Sequence, residues 1–444
     1  MFTSKLYVKS PVWFQTLALS MRALARKKLR NNKETQEVIA ELLSHDYSID
    51  KLDSYRIKKK NEVLLNAIDN SSFYSQVSSN SLDVDKFPFM DKNLCRENAS
   101  EIRSKIKPNV VVHGTTGGTT GMPLEIPQSM HSVIYEQAFI SRHLQWAGFK
   151  EGDKRAWLRG DMIVPLHQTK PPFWRNSYFE DMLYLSSYHL TAQNIPSYIE
   201  AMVDYGVDII QAYPSAISII ANYLEQNGLV YPAKLKAIIT SSEKLSLHER
   251  SVISKVFGCN VFDWYGMFER VAAIANCEHG RYHLLTDYSH VEFGPLIDGA
   301  NEIIGTNFNN LYFPLIRYKT GDRVLLSKEE SCPCGRVYPL IDEVVGRSTD
   351  YLLAIGGNKI GSAILSFVPK GVEGLLETQF VQKTFGKVSV YAVVECGKFN
   401  SIQEEKLINN LKHCVGVEIK VEVHVVDKLT RTSSGKLKHV ICEV

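Results

Sequence analysis

Through residue 107 the chain is polar, and its apolar positions recur at helical spacing in short stretches such as 38–43 and 63–68. That spacing predicts a helical opening region. The pattern breaks at 109–113, where Val110, Val111 and Val112 lead into a glycine-threonine loop. Beyond it, short β-branched runs at 207–211, 235–240 and 261–263 alternate with helical patterns at 215–226 and 247–257. Alternation of this kind predicts an α/β domain with a largely parallel sheet. The runs 302–306, 312–318 and 323–326 predict a later, antiparallel β region. After Gly346 and Arg347 the texture changes again. Alternating runs at 387–395 and 417–426 flank a helical stretch at 402–413, a β-α-β unit long enough for a small separate domain. The expected division is 1–346 and 347–444, with neither an internal repeat nor a low-complexity tract.

Charge narrows the function classes. Lys and Arg total 51 against 48 acids among 444 residues, so nothing suggests the strongly basic face of a nucleic-acid binder. Residues 1–60 depart from this balance with 13 Lys/Arg against 6 Asp/Glu, including Arg26, Lys27, Lys28 and Arg30. The ordinary reading is a solvated helix face; the alternative is an electrostatic dock for an acidic partner or a membrane. The uncharged stretch 10–21 follows Lys5 and Lys9 as a secretory signal would. It contains Gln15, however, runs straight into basic residues and lacks a small-residue cleavage site. No apolar run reaches the about 18 residues of a membrane span. Eight irregularly placed cysteines predict reduced thiols and a cytoplasmic protein.

The loop 115–124 reads TTGGTTGMPL. Gly117, Gly118 and Gly121 let the backbone turn tightly and gather N–H groups, while Thr116, Thr119 and Thr120 add hydroxyl donors. Such a loop can cradle a polyphosphate, although no GK[ST] ends it as in a Walker loop. It resembles the phosphate-binding signature of the adenylate-forming superfamily of acyl- and aryl-CoA ligases, with Gly117 departing at the second position. Further segments resemble that superfamily in the expected order. At 263–269, DWYGMFE implies Asp263 receiving the adenine amino group, Tyr265 lying against the base with Trp264 and Gly266 beside it, and Glu269 holding Mg²⁺. Phe268 stands there in place of a hydroxyl residue. Ser241, Ser242 and Glu243 correspond to the segment that borders adenine and the acyl group. In RYKTGD at 317–322, Asp322 would accept both ribose hydroxyls. GRSTD at 346–350 implies a pivot at Thr349, with Arg347 near the ribose-phosphate. TRTSSGK at 430–436 carries the implied catalytic lysine, Lys436.

More narrowly the chain resembles the phenylacetate–CoA ligase family, in the branch met as capsular-polysaccharide-type proteins. The opening SPVWFQ, the stretch YGMFERVAAIANCEHGRYH and the segment CPCGR carry that likeness. It implies an α/β fold with a large multi-subdomain N-terminal adenylation domain and a small α+β C-terminal lid. It also implies ATP, Mg²⁺ and CoA as ligands, a small carboxylic acid as substrate, and room for a homodimer. Gly356 and Gly357 would line the pantetheine tunnel; Tyr213, Ser241 and Trp264 would border the acyl group.

Cys332 and Cys334 flank a proline beside a turn, and Cys277 and His283 lie in CEHGRYH, with His279 nearby. Together they offer a Cys₃His set for a structural zinc; the alternative is four unligated side chains in ordinary turns. Cys95, Cys259, Cys396, Cys414 and Cys442 read as small core residues.

Carboxylate attack on the α-phosphorus of ATP turns a poor acyl donor into an acyl-adenylate, and rotation of the small domain would then admit CoA. One rival keeps the adenylation but transfers the acyl group to an amine or a carrier protein. Another, of a different class, is a non-catalytic nucleotide- or acyl-binding protein; the presence of Lys436, Glu269 and Asp322 weighs against it.

Overall fold

The computed structural model describes residues 4–30, 32–77, 82–116, 124–297, 299–347, 351–355, 359–365, 368–369, 371–432 and 435–444. The chain divides into two compact units. One comprises 1–24, 148–263 and 347–444; the other comprises 25–147 and 264–346.

The first unit is built on parallel strands Arg155–Arg159, Met182–Ser186, Ile209–Ala212 and Ala237–Ser241, with Trp174–Ser177 antiparallel at the edge. Ile209, Ile210 and Ala212 have no exposure, as the strands of a sheet covered on both faces should. Helices Ile195–Tyr205, Pro214–Gln226 and Leu247–Phe257 follow successive strands. Leu247–Phe257 opens with a capping box, in which Ser246 and Glu249 satisfy each other's backbone donors. Gly258 ends it in the left-handed conformation, at φ 63°.

The C-terminal part of this unit is a four-stranded sheet in the order Lys420–Val425, Lys387–Val394, Leu375–Thr384, Val440–Cys442. Helix Ser401–Val415 makes the crossover between two parallel strands. The expected β-α-β pattern is present, with two further strands that the sequence reading did not register. This sheet packs on helix Pro214–Gln226. Asn222 donates to the Leu376 carbonyl at 2.9 Å and Gln226 to the Leu375 carbonyl at 2.6 Å, while Leu376, Val393, Leu429 and Leu437 join the hydrophobic core around the parallel strands.

The second unit combines helices Lys33–His45, Ile49–Asn70 and Met130–Trp146 with an antiparallel β region. In the latter, Ser289–Ile297, Ala300–Asn307 and Tyr318–Leu326 follow one another in space. Strands Ala273–Asn276 and Tyr282–Leu284 form a hairpin, and Tyr282–Leu284 also pairs with Leu340–Arg347. The antiparallel expectation holds, with one correction. Residues 312–317, read as strand, form no strand; pairing begins only at Tyr318. Pro314 has no N–H to give to a ladder, and its apolar neighbours Phe313, Leu315 and Ile316 enter the core beside Tyr74 and Phe87 instead. The cysteine reading also needs correction. Cys396 is exposed, and of the five assigned to the core only Cys95 is fully buried; Cys396 lies in the turn after a strand, where no packing partner is required.

Candidate active site and candidate metal centre

In the first unit, the segment that carries Lys436 is a tight hairpin. Arg431 bridges to Leu437, the Thr432 N–H donates to the Lys436 carbonyl at 2.9 Å, and the Lys436 N–H donates to the Thr432 hydroxyl at 3.1 Å. Three contacts seat this hairpin on the parallel-sheet part of the unit. The Arg431 guanidinium, paired with Glu377 of the C-terminal sheet at 2.5 Å, reaches the Ser215 hydroxyl at 2.9 Å. Gly435, at φ 78°, packs so closely on Gly160 and Tyr188 that an added Cβ would lie 2.3 Å from the Gly160 Cα. Finally, Glu243 accepts the Leu437 N–H at 2.6 Å. Its other oxygen accepts the Ser215 N–H at 3.0 Å, in the first turn of helix Pro214–Gln226, where an anion is favoured.

Two of the three residues expected to border the acyl group, Ser241 and Tyr213, lie at the same ends of strands; Trp264 is placed elsewhere, beside His143. Ser241 closes its strand, and its hydroxyl lies 3.3 Å from that of Ser242. Ser242 is one of the few non-glycine residues with positive φ, at 73°, a strained geometry of the kind found at functional turns. Tyr213 is buried and caps the start of helix Pro214–Gln226. Its ring lies 5.9 Å from the Arg159 guanidinium, which also stands 4.3 Å over the Trp157 ring. Burial lowers the Arg159 pKa, while Tyr213, Asp161, Asp263 and Glu243 act to raise it, and the Arg159 Nε has no hydrogen-bond partner among the described residues. The sequence reading missed Arg159, which lies in no motif. Asp263 is buried, and its carboxylate accepts the Thr240 hydroxyl at 2.6 Å.

In the second unit the Tyr265 hydroxyl donates to Asp322 at 2.9 Å, so the ring and the carboxylate assigned to neighbouring parts of a nucleoside hold each other. Asp322 is set by a turn in which its own N–H reaches the Thr320 hydroxyl at 3.0 Å. Glu269 accepts from the Tyr318 hydroxyl at 3.4 Å. Alternation along strand Asn260–Gly266 puts Trp264 on the face opposite to Tyr265. Its ring lies 5.5 Å from His143 and 6.4 Å from Tyr288. Gly266 sits where a Cβ would lie 2.7 Å from the Trp264 indole nitrogen. Thr116 is buried at the base of the glycine-threonine loop, where its N–H and hydroxyl bracket Leu124. Phe268 underlies that base: a Cβ on Gly114 would fall 2.3 Å from its ring. The aromatic residue in the hydroxyl position thus packs against Gly114. Gly117, Gly118, Thr119, Thr120, Gly121, Gly356 and Gly357 lie outside the described residues, as does the side chain of Arg347.

The four metal candidates gather in this unit. The turn 277–280 joins the hairpin strands and places Cys277 beside His283, while the Tyr282–Leu284 pairing with Leu340–Arg347 brings up the turn 332–335. The ligand atoms of Cys277, His283, Cys332 and Cys334 all lie within 4.8 Å of one another. The Cys277 and Cys332 sulfurs are 3.6 Å apart, and the Cys334 sulfur is 3.4 Å from the His283 Nε2. Tetrahedral zinc, with bonds of about 2.3 Å to sulfur and about 2.0 Å to nitrogen, sets edges of about 3.8 and 3.5 Å. The donor types suit zinc, and these two edges are close to tetrahedral ones, while the separations within the group extend up to 4.8 Å. Burial pushes the Cys332 thiol up to about 12 and the His283 imidazole down to about 4. His279 is exposed and outside the group.

Next to the cluster lies a buried network that no motif announced. Arg142 donates to both oxygens of Asp287, at 2.6 and 3.2 Å, and to the Tyr338 hydroxyl at 2.6 Å. Asp46 accepts from the Trp146 indole at 2.7 Å and from Tyr338 at 3.1 Å. Burial raises the Asp287 pKa, but Arg142 and the His45 hydrogen bond outweigh it and hold the carboxyl below its usual range.

Comparison with known proteins agrees with this architecture. The family model described as the CapK C-terminal domain matches residues 352–443. Protein CapK of Staphylococcus aureus is 28% identical over 450 residues, covering 98% of each chain. Phenylacetate-coenzyme A ligase of Thermus thermophilus is 25% identical over 272 residues, 54% of this chain and 61% of that one. Among solved structures, a 2-hydroxyisobutyryl-CoA ligase in the postadenylation state superposes with a TM-score of 0.62 at 16% identity, over 90% of both chains. The same enzyme with 2-HIB-AMP and CoA in the thioesterification state gives 0.53 at 17% identity, over 90% of this chain and 91% of that one. Residues 352–443 thus match the CapK C-terminal domain, and the chain as a whole is similar to protein CapK along its length, on a fold shared with CoA ligases that form acyl-adenylates.

Proposed function

We propose that the chain is an AMP-forming acid ligase that activates a small carboxylic acid and transfers its acyl group to CoA. The observation that carries this reading is the seating of the Lys436 hairpin by Glu243, Arg431 and Gly435 at the strand ends occupied by Ser241, Ser242 and Tyr213. A carboxylate oxygen forms a bond to the α-phosphorus of ATP, the bond from that phosphorus to the bridging oxygen breaks, and pyrophosphate leaves. Lys436 serves as the cation between the carboxylate and α-phosphate oxygens. Tyr265 and Asp322 hold the nucleoside, and Asp263 takes the adenine amino group. Glu269, with oxygen donors suited to a hard cation, would hold Mg²⁺, which offsets the charge of the polyphosphate. The loop 115–121 and Arg347 are assigned to the phosphates and the ribose-phosphate.

The second step exchanges AMP for the CoA thiolate at the acyl carbon, with AMP leaving. Residues 347–444 act in it as a mobile lid, turning about Thr349 and presenting Gly356 and Gly357 to the pantetheine arm. The 2-hydroxyisobutyryl-CoA ligase captured with an acyl-adenylate and CoA supports this reading by likeness of fold. Zinc on Cys277, His283, Cys332 and Cys334 is structural, closing two turns that no reaction step uses. Sparse, irregularly spaced cysteines and the use of ATP and CoA support a cytoplasmic location.

The test is a panel of aryl, fatty and hydroxy acids incubated with ATP, with and without CoA. AMP and loss of the CoA thiol in equal amounts support the reading. AMP formation that needs an amine or a carrier protein and ignores CoA replaces the second step with acyl transfer to that acceptor.

A further inference from the structure

Helix Val12–Arg30 buries two polar residues, Gln15 and Ser20, beside two apolar ones, Leu19 and Ala23. Gln15 accepts from Arg175 at 2.8 Å and donates to the Tyr7 carbonyl at 3.0 Å. The Tyr7 hydroxyl in turn reaches the Ile163 carbonyl at 2.8 Å, and the Tyr178 N–H reaches the Ser20 hydroxyl at 3.2 Å. These bonds fix which face looks outward. On that face Trp13, Leu17 and Met21, four residues apart, form one stripe, with exposures of 68%, 50% and 53%. Leu6, in the short helix before it, is 73% exposed. A lone exposed leucine is unremarkable, but an aligned apolar row on a helix anchored by its polar side marks a contact surface.

Charge selects the occupant. The first 30 residues carry Lys5, Lys9, Arg22, Arg26, Lys27, Lys28 and Arg30 and no acidic residue. Lys27, Lys28 and Arg30 lie in the last turn of the same helix. A second copy meeting this face about a twofold axis would set basic residues against the same basic residues, a repulsive arrangement. An anionic lipid surface complements both features: the stripe enters the boundary between headgroups and acyl chains, and the lysines face the phosphates. No helix is long and apolar enough to cross a membrane among the described residues, and an in-plane helix needs no such span.

We propose that helix Val12–Arg30 docks the protein on an anionic membrane surface through Trp13, Leu17 and Met21. The experiment is sedimentation of the full-length protein with vesicles of phosphatidylcholine, alone or with about 30% phosphatidylglycerol, at low and high salt. Binding at least about tenfold stronger to the anionic vesicles, weakened as salt shortens the Debye length, is expected. The pair Leu17→Glu and Met21→Glu, on exposed positions, should abolish binding without lowering the melting temperature. The pair Lys27→Glu and Lys28→Glu should remove the anionic preference. Absence of binding to anionic vesicles overturns the proposal, as does equal binding by wild type and the Leu17/Met21 pair. A concentration-dependent dimer by light scattering that the Leu17/Met21 pair dissociates, with no lipid binding, assigns the stripe to a second copy and likewise overturns it.

Discussion

The Leu437 N–H donates to the Glu243 carboxylate at 2.6 Å, across 194 positions of sequence. Because Leu437 follows Lys436 directly, this bond fixes the backbone on which the proposed catalytic lysine is mounted. Glu243 was expected to border adenine; in this arrangement both of its oxygens hold backbone N–H groups. Hydrogen bonds to a charged acceptor contribute about 1.5–3 kcal/mol. Glu243→Ala should therefore slow acid-dependent pyrophosphate release by about 10- to 100-fold. Transfer from a supplied acyl-adenylate should change little, and single-turnover assays of the two half-reactions measure the difference.

Arg159 is a cation beside the candidate site that sequence reasoning missed. It stands 5.9 Å from the Tyr213 ring, and its Nε has no partner among the described residues. We predict that Arg159→Met raises the KM for the acid more than it lowers kcat with saturating acid, because it removes binding rather than the attack itself. Steady-state assays over a range of acid concentrations check this split.

The purified protein should carry about one zinc per chain, from the four-ligand tetrahedron. Cys332→Ser should remove the metal and lower the melting temperature, with modest loss of rate in the folded fraction. Elemental analysis decides: stoichiometric zinc retained in both Cys332→Ser and Cys334→Ser would show the ligands to be other residues.

The Arg142–Asp287–Asp46 network is expected to matter for stability. Arg142 and both carboxylates are at most 2% exposed. Removing one member leaves a buried charge unpaired, which costs about 3–5 kcal/mol. Arg142→Met should produce that loss in urea unfolding, with zinc content unchanged per folded molecule.

His143 gives a pH dependence whose sign follows from its surroundings. Burial pushes its imidazole down from 6.5 to about 4, partly opposed by the hydrogen bond to the Asn276 carbonyl. Between those values the unfolded chain holds a proton that the folded chain excludes. Stability is therefore full above about pH 6.5 and falls as pH drops toward 4, by up to about 1.4 kcal/mol per unit. His143→Gln should flatten the dependence of melting temperature on pH between 6.5 and 5 relative to wild type.

Much of this was legible because local patterns carried it. The alternation at 207–263 predicted strands and helices that the structure contains, and the Cys-x-Cys turn with CEHGRYH named the four residues that converge. What escaped was long-range. Asp46, Arg142 and Asp287 are 96 and 145 positions apart, with no repeat or spacing to link them, and Arg159 reads as an ordinary strand-end arginine. The run 312–318 misled because its apolar residues suit a strand, while Pro314 withholds the N–H that a ladder needs. The outward stripe of helix Val12–Arg30 showed in the sequence only as a basic bias, because which face turns inward depends on Arg175 and Tyr7.

The central claim is that Lys436 drives formation of an acyl-adenylate. Acid-dependent exchange of labelled pyrophosphate into ATP, compared between wild type and Lys436→Ala, tests it most directly. The account predicts exchange with at least one acid of the panel in wild type and its near-complete loss in a Lys436→Ala protein that keeps the wild-type melting temperature. Exchange undiminished in Lys436→Ala, or ADP and phosphate as the products of acid-dependent ATP turnover, would contradict it.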